Sequence, residues 1–330
     1  MPTAALAFLL AASIPAESSR ATGEVIFTPA KDEAALPERF RLATHTFAWQ
    51  AQRMNTVTET LEVWDLTFPS PITTPEPTNN TVYCEYFRSR QAGQRPAVIV
   101  LHILGGDFEL SRLFCNAIAQ RGSHALFVKM PYYGPRRPPA STKRMISSDP
   151  RETVAGMTQA VLDIRRAAAW LAARPEVDSD QLGIFGISLG GITSSLAAAI
   201  EPRLKNVCLL LAGGEIGRIG WDSPQLKKTR DAWLAQGGTR EEFLEITRAV
   251  DPVTHATRAR GKHILMLNAD RDEVIPRECT EILWNALGQP PIHYYSGGHY
   301  SAIWHLASAL NRVSLFFQMP TDKLQPTSDQ

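Results

Sequence analysis

Residues 183–191 read Gly-Ile-Phe-Gly-Ile-Ser-Leu-Gly-Gly, and this run restricts the available folds more than any other part of the chain. Ser188 follows an apolar stretch and has glycine two positions away on either side. That spacing suits a strand-to-helix turn so tight that a side chain at 186 or 190 would collide with neighbouring backbone. A serine at the apex then projects its hydroxyl outward. Taken alone, the run also fits a glycine-rich turn with no chemistry. Its surroundings favour the first reading. Residues 177–185 look like a turn feeding a short buried strand, and residues 190–200 are small and apolar, as a helix packed on a sheet should be. A helix beginning at 189 would also aim amide N–H groups toward the hydroxyl.

Elsewhere, apolar strand patterns alternate with helical periodicity. Strands are expected at 97–102, 125–130, 206–211, 264–267 and 292–295. Helices are expected at 108–121, 153–173 and 280–287, with a last one from about Ser301. This alternation predicts an α/β architecture, a mostly parallel central sheet with helices on both faces. Residues 82–87 alternate like an early antiparallel strand. Residues 23–80 read as irregular and rich in Thr and Pro, with 67–77 as loop. The domain reading is therefore an N-terminal segment at 1–21, an extension over 22–81, and one main domain over 82–330.

The 330 residues are 44% hydrophobic and 20% charged, so a large core is available. Formal net charge is +1 with no long run of like charges, and nothing points to a nucleic-acid partner. Cys84, Cys115, Cys208 and Cys279 are scattered, and neither C-x-x-C nor H-E-x-x-H occurs, so no metal or cofactor is expected. Residues 4–12 have the length of a signal-peptide apolar core, and Ser19-Arg20-Ala21 fits a small-x-small cleavage site. No Lys or Arg precedes that core, so an unstructured N-terminus is the competing reading, and export competes with a cytoplasmic location. No segment is expected to span a membrane.

A serine hydroxyl is a poor nucleophile without a base. Of eight histidines, His299 in Ser296-Gly297-Gly298-His299-Tyr300 follows the last expected strand and opens at the same sheet edge as Ser188. His255, His263, His293 and His305 sit within or beside expected elements and read as structural, although His255 could line a pocket. The loop at 268–276 offers three carboxylates, Asp270, Asp272 and Glu273, to accept the imidazole N–H. Glu273 reads as solvent-facing.

With these three segments in order, the chain resembles the α/β-hydrolases, in the dienelactone-hydrolase-like and acyl-esterase-like branch. Residues 178–191 are similar to that family's strand and elbow, Asp272-Glu273-Val274-Ile275-Pro276 to its D-x-x-V-P acid loop, and Gly298-His299 to its G-H. The resemblance covers about residues 82–317. It implies an α/β-hydrolase fold, with residues 215–260 inserted as a small helical cap containing Trp221, Trp233, Phe243 and Leu244. It also implies a Ser188–His299–Asp272 triad, with Asp270 as the alternative acid. Oxyanion donors would be the backbone N–H of Leu189 and one from the loop His102-Ile103-Leu104-Gly105-Gly106-Asp107. Relatives carry His-Gly where this chain has His102-Ile103, which leaves Leu104 first and Ile103 second for that role. His102 reads as a brace for the loop. Ile103, Tyr132 and Tyr133 are further substrate-contact candidates. The two tyrosines either bring a hydroxyl near the acyl oxygen or wedge a proline-stiffened loop. Arg136 and Arg137 read as solvated. The implied activity is serine hydrolysis of a carboxylic ester through an acyl-enzyme, on a small-molecule ester or acyl substrate. Peptidase, acyltransferase and non-catalytic binding roles use the same scaffold.

Overall fold

The computed structural model describes residues 19–57, 59–139 and 141–318. The signal-peptide reading falls almost wholly outside them. Its proposed cleavage site lies at the start of the first strand, where Arg20 and Ala21 pair with Gln52 and Ala51.

A ten-stranded sheet organises the described residues. In chain order the strands are β1 (Arg20–Phe27), β2 (His45–Val57), β3 (Leu61–Pro69), β4 (Thr81–Ser89), β5 (Arg95–Leu101), β6 (His124–Val128), β7 (Val177–Ile187), β8 (Asn206–Leu210), β9 (His263–Ala269) and β10 (Ile292–Tyr295). Their spatial order is β1-β2-β3-β4-β6-β5-β7-β8-β9-β10. Pairing is antiparallel from β1 through β4 to β6 and parallel from β6 to β10. β7 is one continuous strand, longer than the short strand expected after a turn at 177–180.

The irregular reading of 23–80 is corrected: three antiparallel strands occupy much of it, and β3 runs to Pro69, so only 70–76 of the expected loop at 67–77 connects to the 3₁₀ turn Pro77–Asn80. The physical cause is a period-2 pattern. Phe47, Trp49 and Ala51 of β2 are buried, while Thr46, Ala48 and Gln50 between them are exposed. Trp49 packs edge-on against Trp170, which fixes which face turns inward.

Helices cover both faces. α2 (Pro150–Ala172), α3 (Leu189–Ile200) and α8 (Arg277–Ala286) enclose one core through Ile164, Trp170, Leu196 and Leu283. α1 (Phe108–Gln120) and α9 (Leu306–Phe316) enclose the other through Phe114, Ile118 and Val313. α2 starts where Pro150 fixes the first helical φ and the Asp149 carboxylate accepts the Arg151 N–H at 2.8 Å. Between β8 and β9 lie α4 (Ile216–Asp222), α5 (Lys227–Ala235), α6 (Arg240–Thr247) and α7 (Pro252–His255). The two ends of this insertion are tied together by Asp251, whose carboxylate accepts the N–H groups of Glu215 (3.2 Å), Ile216 (2.6 Å) and Val253 (2.9 Å). No helix among the described residues is long and apolar enough to cross a membrane.

Candidate active site

Ser188 occupies the single residue between β7 and α3, with φ 54° and ψ −116°. A non-glycine residue held at positive φ stores roughly 1–3 kcal/mol of strain, which the surroundings must offset. Here the Ser188 N–H donates to the Leu210 carbonyl at 2.8 Å and the Ser188 carbonyl accepts from Ile192 at 2.9 Å. A Cβ on Gly186 would fall on the carbonyl of Gly190, and one on Gly190 would lie 2.7 Å from the carbonyl oxygens of both Leu101 and His102. Both glycines are therefore steric requirements of the turn. Leu189 is the first residue of α3, so its N–H has no intrahelical acceptor and points from the positive end of the helix.

The imidazole of His299 stands in the loop between β10 and the 3₁₀ turn Ser301–His305. Its Nε2 is 3.0 Å from Ser188 Oγ, and its Nδ1 is 2.8 Å from Asp272 Oδ2 and 3.0 Å from Oδ1. The Asp272 side chain is 2% exposed. Its Oδ1 accepts the N–H groups of Val274 at 2.9 Å and Ile275 at 2.7 Å, so the loop's own backbone orients the carboxylate. Donation from Nδ1–H to that carboxylate leaves the Nε2 lone pair facing the hydroxyl.

The other two acids of this loop are placed differently. Asp270 Oδ1 accepts the Gly297 N–H at 2.7 Å, and that amide bond holds its carboxyl below the usual carboxylate range. Asp270 thus bonds the backbone of the histidine loop, while Asp272 bonds the ring. Glu273 is exposed, as expected, yet its Oε2 also accepts the His299 backbone N–H at 2.8 Å. Sequence reasoning missed this contact. The available signal was Gly298, since a Cβ there would occupy the space of the Glu273 carboxylate.

His102 is wholly buried, and burial pushes its imidazole down to about 4. The neutral ring donates from Nδ1 to the Ile103 carbonyl at 2.8 Å and accepts the Met130 N–H on Nε2 at 3.1 Å, bridging the loops after β5 and β6. Tyr132 and Tyr133 line neither cavity that opens at Ser188. Tyr132 adopts φ 66° with its N–H on Asn79 Oδ1 at 3.0 Å, and the Tyr133 ring packs edge-on against His102 at 4.5 Å. These contacts are the ones that a wedged loop would make. Arg136, read as solvated, is instead fully buried. Its guanidinium meets Asp163 at 2.7 Å and donates to the carbonyls of Lys129 (3.1 Å) and Asn79 (2.8 Å).

Three other histidines take structural contacts. His255 Nε2 faces the Ala249 carbonyl at 3.1 Å, His263 Nδ1 faces Asn206 Oδ1 at 3.1 Å, and His305 Nε2 faces the Ser296 carbonyl at 2.9 Å. Two cavities meet at Ser188 and Leu104. The first, about 100 Å³, lies under the insertion, and Ile216, Ile219 and Phe243 contribute to its walls. The second, about 610 Å³, runs along α9 past Ile103, His299 and Ile303.

Comparison with known proteins agrees with this architecture. The family described as alpha/beta hydrolase domain containing 18 matches residues 67–215, and the prolyl oligopeptidase family matches residues 157–302. An uncharacterized protein of Mycobacterium tuberculosis is 30% identical over 185 residues, which are 54% of this chain and 42% of that protein. The chain thus matches less than half the length of this relative. Acetyl xylan esterase 1 from Thermoanaerobacterium sp. superposes with a TM-score of 0.62 at 19% identity, covering 81% of this chain and 87% of its own. The acetyl xylan esterase of Paenibacillus sp. gives 0.62 at 19%, covering 81% and 88%. A cold-adapted esterase from an Arctic intertidal metagenomic library gives 0.54 at 16%, covering 81% and 97%. With the sheet order, the helices on both faces and these matches in agreement, the chain is a member of the α/β-hydrolase superfamily.

Proposed function

We propose that the protein is a serine hydrolase that cleaves a carboxylic ester of a small molecule through an acyl-enzyme. The observation that carries this reading is the continuous line from Ser188 Oγ to His299 Nε2 (3.0 Å) and from His299 Nδ1 to Asp272 Oδ2 (2.8 Å). In this reading His299 takes the Ser188 proton as Oγ bonds to the ester carbonyl carbon. Asp272 holds the ring tautomer and offsets the imidazolium charge. The N–H groups of Leu189 and Leu104 receive the oxyanion, with Ile103 the alternative to Leu104. His299 then hands the proton to the departing alcohol oxygen. A water molecule, deprotonated by the same ring, adds to the acyl carbon, and as the bond to Ser188 Oγ breaks the ring returns the proton to that oxygen and the acid leaves.

The match to the prolyl oligopeptidase family over residues 157–302 favours a second reading, in which an amide replaces the ester. Two measurements test the proposal. A fluorophosphonate probe should label the wild type and not Ser188→Ala, and 4-nitrophenyl acetate turnover should vanish in the same variant. A wild type that takes no label and turns over no ester would leave the fold as a binding scaffold. Labelling with turnover of peptide anilides alone would move the assignment to the amide.

A further inference from the structure

We infer that the cleft sorts the two halves of an ester, taking a short, uncharged acyl group under the cap and a bulky apolar alcohol in the trough along α9. The inference rests on the ester-hydrolase reading above and adds a substrate class to it.

Ser188 and Leu104 line both cavities, whereas His299 lines only the larger one. That asymmetry sets the direction of the substrate. When the tetrahedral adduct collapses, the bond between the carbonyl carbon and the alcohol oxygen breaks. Its electron pair stays on that oxygen, which takes the proton from His299 Nε2. The alcohol oxygen must then lie within hydrogen-bond reach of Nε2, on the trough side. The acyl substituent departs from the carbonyl carbon on the opposite side, past Leu189 and into the chamber beneath α4 and α6.

The chamber limits that substituent. At about 100 Å³ against about 610 Å³ for the trough, it is the tighter of the two spaces for a substituent. Ile192, Ile219 and Phe243 on its walls are all buried, and among the described residues its polar lining is hydroxyl only, from residues such as Thr153, Ser223 and Thr247, so a carboxylated or cationic acyl group would find no opposite charge there. The trough is the larger of the two cavities. Tyr300 (61% exposed) and Ile303 (53% exposed) stand on its wall as large apolar side chains still facing water. A bulky apolar alcohol would cover them.

The test is kcat/KM for 4-nitrophenyl esters from acetate to dodecanoate, and for acetates of ethanol, benzyl alcohol and 2-naphthol. Wild type, Gly220→Ala, Phe243→Ala and Ile303→Ala are compared. Gly220 lies in α4 on the chamber wall, and a Cβ there meets nothing nearer than Phe243 at 3.6 Å, so Gly220→Ala narrows the chamber without strain. It keeps the test open if Phe243→Ala misfolds. The expected wild-type profile peaks at acyl groups shorter than octanoate and falls by about 10- to 200-fold once a methylene or two no longer fits. Gly220→Ala should lower the butyrate-to-acetate ratio about fivefold or more, and Phe243→Ala should move the peak to longer chains. Ile303→Ala should lower the 2-naphthyl-to-ethyl ratio at constant acetyl group, leaving the acyl-length profile in place. A wild type that prefers octanoate or longer overturns the inference, as does an acyl profile moved by Ile303→Ala and untouched by Gly220→Ala. Both results would leave the hydrolase reading standing. No turnover of any ester, with Ser188 unlabelled by fluorophosphonate, overturns the hydrolase reading itself and the inference with it.

Discussion

The Glu273 carboxylate accepts the backbone N–H of His299 at 2.8 Å, so the main chain of the histidine is held by one acid while its ring is held by the acid next door, Asp272. Glu273→Ala should loosen the ring's position relative to Ser188. The expected outcome is a fall in kcat of about tenfold, within the ~10²-fold that misplacement by an ångström costs. KM should change little and Glu273→Gln, which keeps an acceptor oxygen, should recover most of the loss. Steady-state kinetics on the two variants, with circular dichroism as a fold check, decides it.

Asp272 and Asp270 separate by the same logic. Asp272→Asn can present an amide N–H to the imidazole and so favour the wrong tautomer, and kcat should drop by about 10⁴-fold. Asp270→Asn keeps an oxygen for the Gly297 N–H, and its loss of kcat should stay below about tenfold. Equal losses in the two variants would contradict the assignment of the acid.

Gly190→Ala is expected to fail at the level of folding. Its Cβ would sit 2.7 Å from two carbonyl oxygens at the end of β5 and the start of the following loop. Overpacking of this kind costs about 1–3 kcal/mol where neighbours can relax, and backbone relaxes least, so a loss at or above the upper end is expected in urea unfolding.

Acid should destabilise the protein through two buried imidazoles. Burial pushes His102 and His124 from an ordinary 6.5 down to about 4. Both are essentially inaccessible, and His124 accepts the Ser89 N–H while facing the Glu176 carbonyl at 3.1 Å. Between pH 4 and 6.5 the unfolded chain binds the protons that the folded chain refuses, so stability rises with pH across that window. This contribution is full above about 6.5 and is lost as pH falls toward about 4, on the order of 3 kcal/mol per group. Unfolding free energies at pH 4.5 and 7 should differ accordingly, and His124→Asn should flatten the dependence. A flat wild-type profile would contradict it.

Removing one half of the buried Arg136–Asp163 pair leaves the other charge without its partner. Asp163→Ala should cost about 3–5 kcal/mol, because Ser70 and Arg136 both lose the carboxylate that they donate to. Chemical denaturation measures it directly.

The parts of this molecule legible in the sequence are those in which a few neighbouring residues contain the whole physical reason. The elbow is one: Gly186, Ser188 and Gly190 state their own steric problem within five positions. The acid loop is another, since Asp272 is oriented by the amides two and three residues further on. Arg136 was illegible because what buries it is distant in sequence: Asp163 on α2, and Asn79 ahead of β4. The first three strands were misread for a different reason. In β2 the inward positions are Phe47, Trp49 and Ala51, but Ala48 faces outward, which blurs the contrast between the two faces. Glu273 shows a third kind of gap. Its contact is with a backbone N–H, which leaves no trace in the identity of residue 299.

Among the described residues β1 is the outermost strand on one side of the sheet, pairing all along its length with β2, which is thirteen residues long. Clipping the chain in the connection at 28–44 and losing β1 would bare a row of unsatisfied amides and carbonyls, together with the buried faces of Phe47 and Trp49. Such a border recruits another polypeptide by strand addition. Among the described residues the open border on this side is therefore carried by the eight-residue β1, a shorter template than the thirteen-residue β2 that it covers.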